Sequence, residues 1–369
     1  MPAGHPDAAW LRLTLIPGIG GETQRKLLAA FGLPEQIFAA SRSALRGVIG
    51  DKATALLLDT DNRHAVAAAL QWAEQSGQRI LTLADDAYPR PLLDIPDPPT
   101  VLYVRGRLEA LAAPAIAIVG SRNATPQGEG NARAFASALA SRGYGIVSGL
   151  ALGIDAAAHR GALNVDGFTV AVIGTGADRV YPARNKALAA EIADKGTILS
   201  EFPLGTPAAA ANFPRRNRLI SGLARGVLVV EAAVESGSLI TARMAGEQGR
   251  EVFAIPGSIH SPQSRGCHRL IRQGAKLVET AQDVLEELGQ VLPPTAGRSR
   301  PTADLATPDD EGAQLLACAG FDPVTIDELV ARSGLTAEAL SVILLRLELD
   351  GRVASLPGGR YQRLAESRI

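Results

Sequence analysis

Between residues 115 and 290 the chain alternates short apolar runs with longer amphipathic segments. The runs fall at residues 115–119, 145–148, 169–173, 197–200, 227–230, 251–254 and 276–278. They are short and mostly rich in β-branched residues, which predicts buried strands. The intervening segments have helical length. The first opens at Thr125-Pro126, a cap residue followed by proline in the first turn. Repeated strand–helix units predict a doubly wound, mainly parallel α/β sheet.

The flanks carry different patterns. Residues 8–75 are rich in Ala and Leu with helical periodicity. They contain Leu15-Ile16-Pro17-Gly18-Ile19-Gly20-Gly21 before a helical stretch to Phe31, and a weaker echo from Leu45 to Gly50. A hydrophobic residue, then Gly-x-Gly, then a helix resembles the helix-hairpin-helix motif. Its glycines either bring backbone amides up to a phosphate or serve tight turns in a packing domain. The few cations nearby favour packing. Residues 76–114 hold two short strand-like runs, 80–83 and 101–104, among helix-breaking prolines. They are expected to dock on the sheet edge. Beyond residue 308 come three helical segments and a hairpin around Pro357-Gly358-Gly359. That order resembles a winged helix. Its presumed recognition helix carries Arg346 as its one cation against Glu338, Glu348 and Asp350. Such a face suits a partner or packing better than duplex DNA. The expected organisation is a helical helix-hairpin-helix/SAM-like unit at 1–75 and a connecting segment at 76–114. A Rossmann-like domain at 115–290, a linker at 291–308 and a winged helix at 309–369 follow.

Composition narrows the function classes. Of 369 residues, 46% are hydrophobic and 20% charged, the profile of a globular chain. Two widely separated cysteines, Cys267 and Cys318, make neither a disulfide framework nor a metal spacing. The first ten residues lack the apolar core of a signal peptide, and no run is long enough to span a bilayer. A cytoplasmic protein without a membrane segment is expected. Net charge is −1, yet residues 212–275 hold nine Arg against four Glu, a local excess of +5. Clustered arginine suits phosphate recognition. Aromatics at 4% argue against a surface of many stacking rings.

In doubly wound sheets ligands sit beyond the carboxyl ends of the strands. The first such loop, Gly120-Ser121-Arg122-Asn123, is not G-x-G-x-x-G, and no acid follows the second strand. A dinucleotide cofactor is not expected. The loop instead offers amides before a helix, and Arg122 as a planar fork for phosphate. The next loop, Ser148-Gly149-Leu150-Ala151, leads to Asp155 and His159 on one helix face. These two suit a hydrogen bond that orients the loop better than acid–base catalysis. Arg184 and Lys186 follow a third strand end, and Asn212-Phe213-Pro214-Arg215-Arg216-Asn217-Arg218 is the densest basic cluster. Cys267-His268 is no nucleophile pair, because adjacent helical residues point apart. No carboxylate cluster suits a two-metal nuclease, and neither a metal nor catalytic residues are expected.

These strings, in this order, resemble the DprA (Smf) family of DNA-processing proteins. The likeness rests on Gly120-Ser121-Arg122, on the loop from Ser148 to His159, on residues 213–220 and on Ser236-Gly237-Ser238-Leu239-Ile240-Thr241. It implies a homodimeric recombination mediator of natural transformation that binds incoming single-stranded DNA and helps load RecA. Carried over by position, the implied DNA contacts are Gly120, Ser121, Arg122, Ser148, Gly149 and Lys186 or Arg184. Asn212, Phe213, Arg215 and Arg216 complete the set. His268 stands where the family usually has Asn. The alternative is a Rossmann-like nucleoside phosphoribohydrolase, with Glu231 and Ser236-Gly237-Ser238 in a comparable place. The Pro-Gly-Gly-x-Gly-Thr loop of such enzymes is absent from the sequence.

Overall fold

A computed structural model describes residues 5–288 and 310–364. The expected linker at 291–308 lies outside them. Nine strands form one sheet: β1 (Gln78–Thr82), β2 (Val101–Gly106), β3 (Ala115–Val119), β4 (Gly145–Ser148), β5 (Thr169–Val172), β6 (Thr197–Ser200), β7 (Gly226–Val229), β8 (Glu251–Ala254) and β9 (Lys276–Leu277). Their spatial order is β1-β2-β6-β5-β4-β3-β7-β8-β9. From β6 to β9 all neighbours run parallel. β1 and β2 add an antiparallel pair to the β6 edge. Helices cover both faces, so every residue of β3 through β7 is buried.

The two faces have separate cores. On one, Leu219, Ile220 and Leu223 of the helix Asn212–Leu223 pack with Val119, Val147 and Val229. On the other, Phe135 and Leu139 of the helix Pro126–Ser141 pack with Ile118, Ile146 and Leu228. Alternate strand residues point to opposite faces, so β3 supplies both cores. The five N-terminal helices lie between residues 8 and 73, and Trp10, Leu11, Val66 and Trp72 close over Ile80, Val101 and Tyr103 of β1 and β2. In the first glycine-rich turn Gly18 holds φ +87° against Leu56. The echo is a break at Gly50 (φ 76°) inside the helix Arg42–Asp59.

The C-terminal unit has helices Asp310–Ala319, Ile326–Ser333 and Ala337–Leu349 and a three-stranded sheet. The hairpin pairs Val353–Leu356 with Arg360–Arg363, and Val324–Thr325 adds a short third strand. This is a winged helix with its own core around Leu329, Leu340 and Leu344.

Sheet order reverses at β3. The chain moves from β3 through β4 and β5 to one side, then returns beyond β6 to lay β7 on β3's other flank. The loops after β3 and β7 therefore diverge and leave a crevice at their carboxyl ends.

Candidate nucleic-acid interface

A cleft of about 800 Å³ fills that crevice. Its walls are Gly120–Asn123 after β3, Tyr181 after β5, the face of Asn212–Leu223 carrying Phe213, Arg216 and Asn217, and Ser236-Gly237-Ser238 after β7. Phe213 stands at its centre of contacts. The Arg122 guanidinium carbon lies 5.4 Å from the Phe213 ring centroid, and the Tyr181 ring 5.7 Å from it. Arg122 is exposed and no ion pair engages it among the described residues. Tyr181 is 48% exposed. A free cation beside two aromatic faces can hold a phosphate and stack a base.

Behind this rim the side chains are committed to one another. Arg216 is 4% exposed. Its Nη1 donates to the Gly149 carbonyl at 2.7 Å and to the Val172 carbonyl. Asp155 Oδ2 accepts from the amides of Gly149 (3.1 Å) and Ala151 (3.3 Å). Burial holds the Arg216 guanidinium down at about 10, opposed by the nearby Asp155 charge. Burial also raises the Asp155 carboxyl, opposed by Arg216. A Cβ on Gly149 would stand 2.6 Å from Arg216 Nη2 and 2.7 Å from Asp155 Oδ2. Glycine leaves room there for the guanidinium and the carboxylate that flank it. Ser148 is fully buried and its hydroxyl donates to the Ile118 carbonyl at 2.6 Å. Asn185 Nδ2 donates to the Leu150 carbonyl at 2.9 Å, and Asn212 Nδ2 to the Gly174 carbonyl at 3.0 Å.

These observations divide the residues read from sequence. Arg122 and Phe213 line the cleft as solvent-facing groups, and Gly120 and Ser121 form its wall. Arg184 and Lys186 are exposed near Tyr181 in the chain. The polar groups of Ser148, Gly149 and Arg216 are engaged inside the protein. Arg215 does not border the cleft. On a helix, positions 212, 213, 216 and 217 share one face while 215 and 218 turn away. Arg215 and Arg218 pair instead with the buried Glu201 at 3.3 Å and 2.5 Å, and Arg218 also with Asp97 at 3.1 Å.

The anion expected at the helix after β3 is supplied by the chain itself. Glu231 accepts from the Thr125 amide (2.9 Å) and hydroxyl (2.6 Å), at the N-terminus of Pro126–Ser141. A Cβ on Gly128 would lie within 2.4 Å of that carboxylate. Ser121's amide is likewise taken, by the Glu231 carbonyl at 2.7 Å. Glu231 is therefore engaged away from the role that a phosphoribohydrolase reading requires. The helix whose N-terminus does border the cleft is Gly237–Glu247, capped by Ser236. The sequence reading quoted Ser236-Gly237-Ser238 but assigned neither it nor Tyr181 a contact. The signal was present in both cases: a serine cap after a strand, and a tyrosine in a Pro- and Arg-bearing loop.

Asp155 and His159 do not bond to each other. Thr169 Oγ1 donates to the Ile146 carbonyl at 2.8 Å and so accepts from His159 Nδ1 at 2.7 Å. The neutral imidazole leaves Nε2 without a partner. His268 Nε2 lies 3.0 Å from the Gly257 carbonyl, and burial pushes the Cys267 thiol up to about 12. Neither is a nucleophile. No group of three or more metal-ligating side chains occurs among the described residues, and none of their helices is long and apolar enough to cross a membrane.

Residues 79–289 match the family described as DNA recombination-mediator protein A, and residues 299–359 match the DprA winged helix domain. Protein Smf of Escherichia coli is 41% identical over 367 residues, covering 96% of this chain and 95% of that protein. The X-ray structure of DNA processing protein A from Streptococcus pneumoniae superposes with a TM-score of 0.69 at 39% identity, covering 76% of this chain and 97% of that one. A Helicobacter pylori DNA processing protein A, described for its single-stranded DNA binding mode, superposes with a TM-score of 0.52 at 32% identity over 57% of this chain and 95% of its own. With both domains matched and a relative aligned nearly end to end, the chain belongs to the DprA/Smf family of DNA-processing proteins.

Proposed function

We propose that the cleft at the β3–β7 switch point binds single-stranded DNA by its backbone, without cutting it. The unpaired Arg122 beside Phe213 and Tyr181 is the observation that carries this reading. In it, Arg122 takes a phosphate and the two rings offer faces to bases. Arg184 and Lys186 continue the cationic rim, and the Gly237 amide adds a helix N-terminus. Gly120 and Ser121 shape the wall. Ser148, Gly149, Asn212 and Arg216 hold the loops in place. A duplex keeps its bases stacked inward and cannot present them to Phe213 and Tyr181, so single strands are preferred. The protein acts as a cytoplasmic homodimer that protects incoming strands in natural transformation and helps load RecA.

Fluorescence anisotropy with single- and double-stranded oligonucleotides of one sequence tests this. Tighter binding of the single strand is expected, with Tyr181→Ala losing about 1–3 kcal/mol. Equal affinity for both forms, unchanged in Tyr181→Ala, would remove the stacking element of the reading.

A further inference from the structure

The glycine-rich turn of the N-terminal unit borders a second cavity, of about 1030 Å³. Residues 17–21 form one wall. Tyr103 of β2, Glu201 after β6, and Arg215 and Arg218 line the other. Because Glu201 directly follows β6, the cavity opens at the carboxyl end of that strand, the same end of the sheet as the cleft. The helix Asn212–Leu223 stands between the two. It turns Phe213, Arg216 and Asn217 to the cleft, and Arg215 and Arg218 to the second cavity.

Two independent features suit this cavity to an anion. The helix Gly21–Phe31 starts on its wall, and the N-cap is Gly20, which has no side chain to accept from the first amides. Two buried donors on the other wall are also unused. Tyr103 is 2% exposed and Arg218 is 9% exposed, and neither the Tyr103 hydroxyl nor Arg218 Nη1 has a hydrogen-bond partner among the described residues. The acids nearby are already matched. Glu22 lies 2.8 Å from Lys26, Asp97 lies 2.5 Å from Arg25, and Glu201 lies 2.5 Å from Arg218 and 3.3 Å from Arg215. Four cations thus stand against three acids. The glycine turn has few cations in its own stretch of sequence, and the fold brings Arg215 and Arg218 to it from the sheet domain.

We propose that the start of the helix Gly21–Phe31 is a second phosphate seat, for the same single strand that the cleft holds at Arg122. The amides of Glu22 and Thr23 and the Arg218 guanidinium take the phosphate, while Arg215 stays on Glu201. Between the two seats the strand passes the end of Asn212–Leu223 that bears Phe213. The N-terminal unit is then a DNA contact as well as a cover for β1 and β2. This seat rests on the single-strand reading of the cleft.

Gly20 can be changed without disturbing the turn. Its backbone (φ −81°, ψ 171°) is open to any residue, and a Cβ there meets nothing within 4 Å. Aspartate at this position accepts from the Thr23 amide as an N-cap and puts its own charge in the seat. Fluorescence anisotropy on the full chain tests the proposal with oligothymidylates of about 6 nucleotides, enough for the cleft, and about 20, enough for both seats. Gly20→Asp should bind the long strand roughly tenfold more weakly and the short strand like the parent, and should melt no lower than the parent. Gly20→Ala adds no charge and should bind both strands like the parent. Parental affinity of Gly20→Asp for the long strand, or equal losses in Gly20→Asp and Gly20→Ala, overturns the second seat. Arg122→Ala separates that failure from failure of the cleft. It should weaken both lengths, and parental binding of both by Arg122→Ala overturns the single-strand reading as well.

Discussion

Arg216 and Arg122 lie on one cleft and do different work. Arg216 is a buried strut between two carbonyls, with the Asp155 charge nearby. Replacing it with Ala leaves Asp155 and the carbonyls without their cation and should cost about 3–5 kcal/mol of stability in denaturant unfolding. Arg216→Lys should recover only part, since an ammonium cannot span the same acceptors. A variant as stable as the parent would remove the strut assignment. His159 makes the matching case for protons. Burial, with Arg216 and Arg160 nearby, holds its pKa down to about 3 against an ordinary 6.5. The unfolded chain takes up a proton below 6.5 that the folded chain refuses. Stability should therefore fall as pH drops from 6.5 towards 3, by up to about 1.4 kcal/mol per pH unit. His159→Gln has nothing to titrate, so its melting temperature should change less between pH 7 and pH 5. Equal slopes would show that His159 is not the group responsible.

At the scale of elements, the loops that border the cleft are fixed by helix termini. Glu231 from the end of β7 sits on the N-terminus of Pro126–Ser141 and so joins the two strands that flank the crevice. Two glycines in that helix separate this contact from simple propensity. Gly128→Ala must displace the carboxylate and should cost about 1–3 kcal/mol. Gly130→Ala meets nothing within 4 Å and should gain about 0.5–1 kcal/mol. Thermal melts that moved both variants the same way would contradict this placement of Glu231. The elements themselves were readable from the chain because apolar runs of four or five residues between helical segments have few other readings. The direction of β1 and β2 was not, since an apolar run carries no sign of parallel or antiparallel pairing. Nor was the facing of the basic cluster. In Arg215-Arg216-Asn217-Arg218 each residue turns about 100° from the last, so adjacent arginines reach different environments. Only the packed helix decides that Arg216 goes inward and that Arg215 meets Glu201. Likewise nothing in Ser148 or Gly149 as letters distinguishes an internal hydroxyl and a gap for a guanidinium from ligand contacts.

Across the whole molecule, positive charge is not spread as composition implied. Among the nine arginines of residues 212–275, Arg215, Arg218, Arg243 and Arg250 pair with carboxylates and Arg216 is buried. The local excess of charge therefore overstates what a strand can use. Arg122 borders the cleft, and Arg184 and Lys186 are exposed a few residues beyond Tyr181 in the chain, outside the densest cluster. In the proposed binding mode a single strand rests its phosphates on this rim. Its most direct test is the salt dependence of single-strand affinity for the parent, Arg122→Ala and Arg215→Ala. Arg122→Ala should weaken all sequences alike and flatten the slope of log K against log salt by about 0.7, one phosphate contact, while Arg215→Ala leaves the slope unchanged. An unchanged slope in Arg122→Ala, or the larger loss in Arg215→Ala, would place the strand elsewhere on the protein.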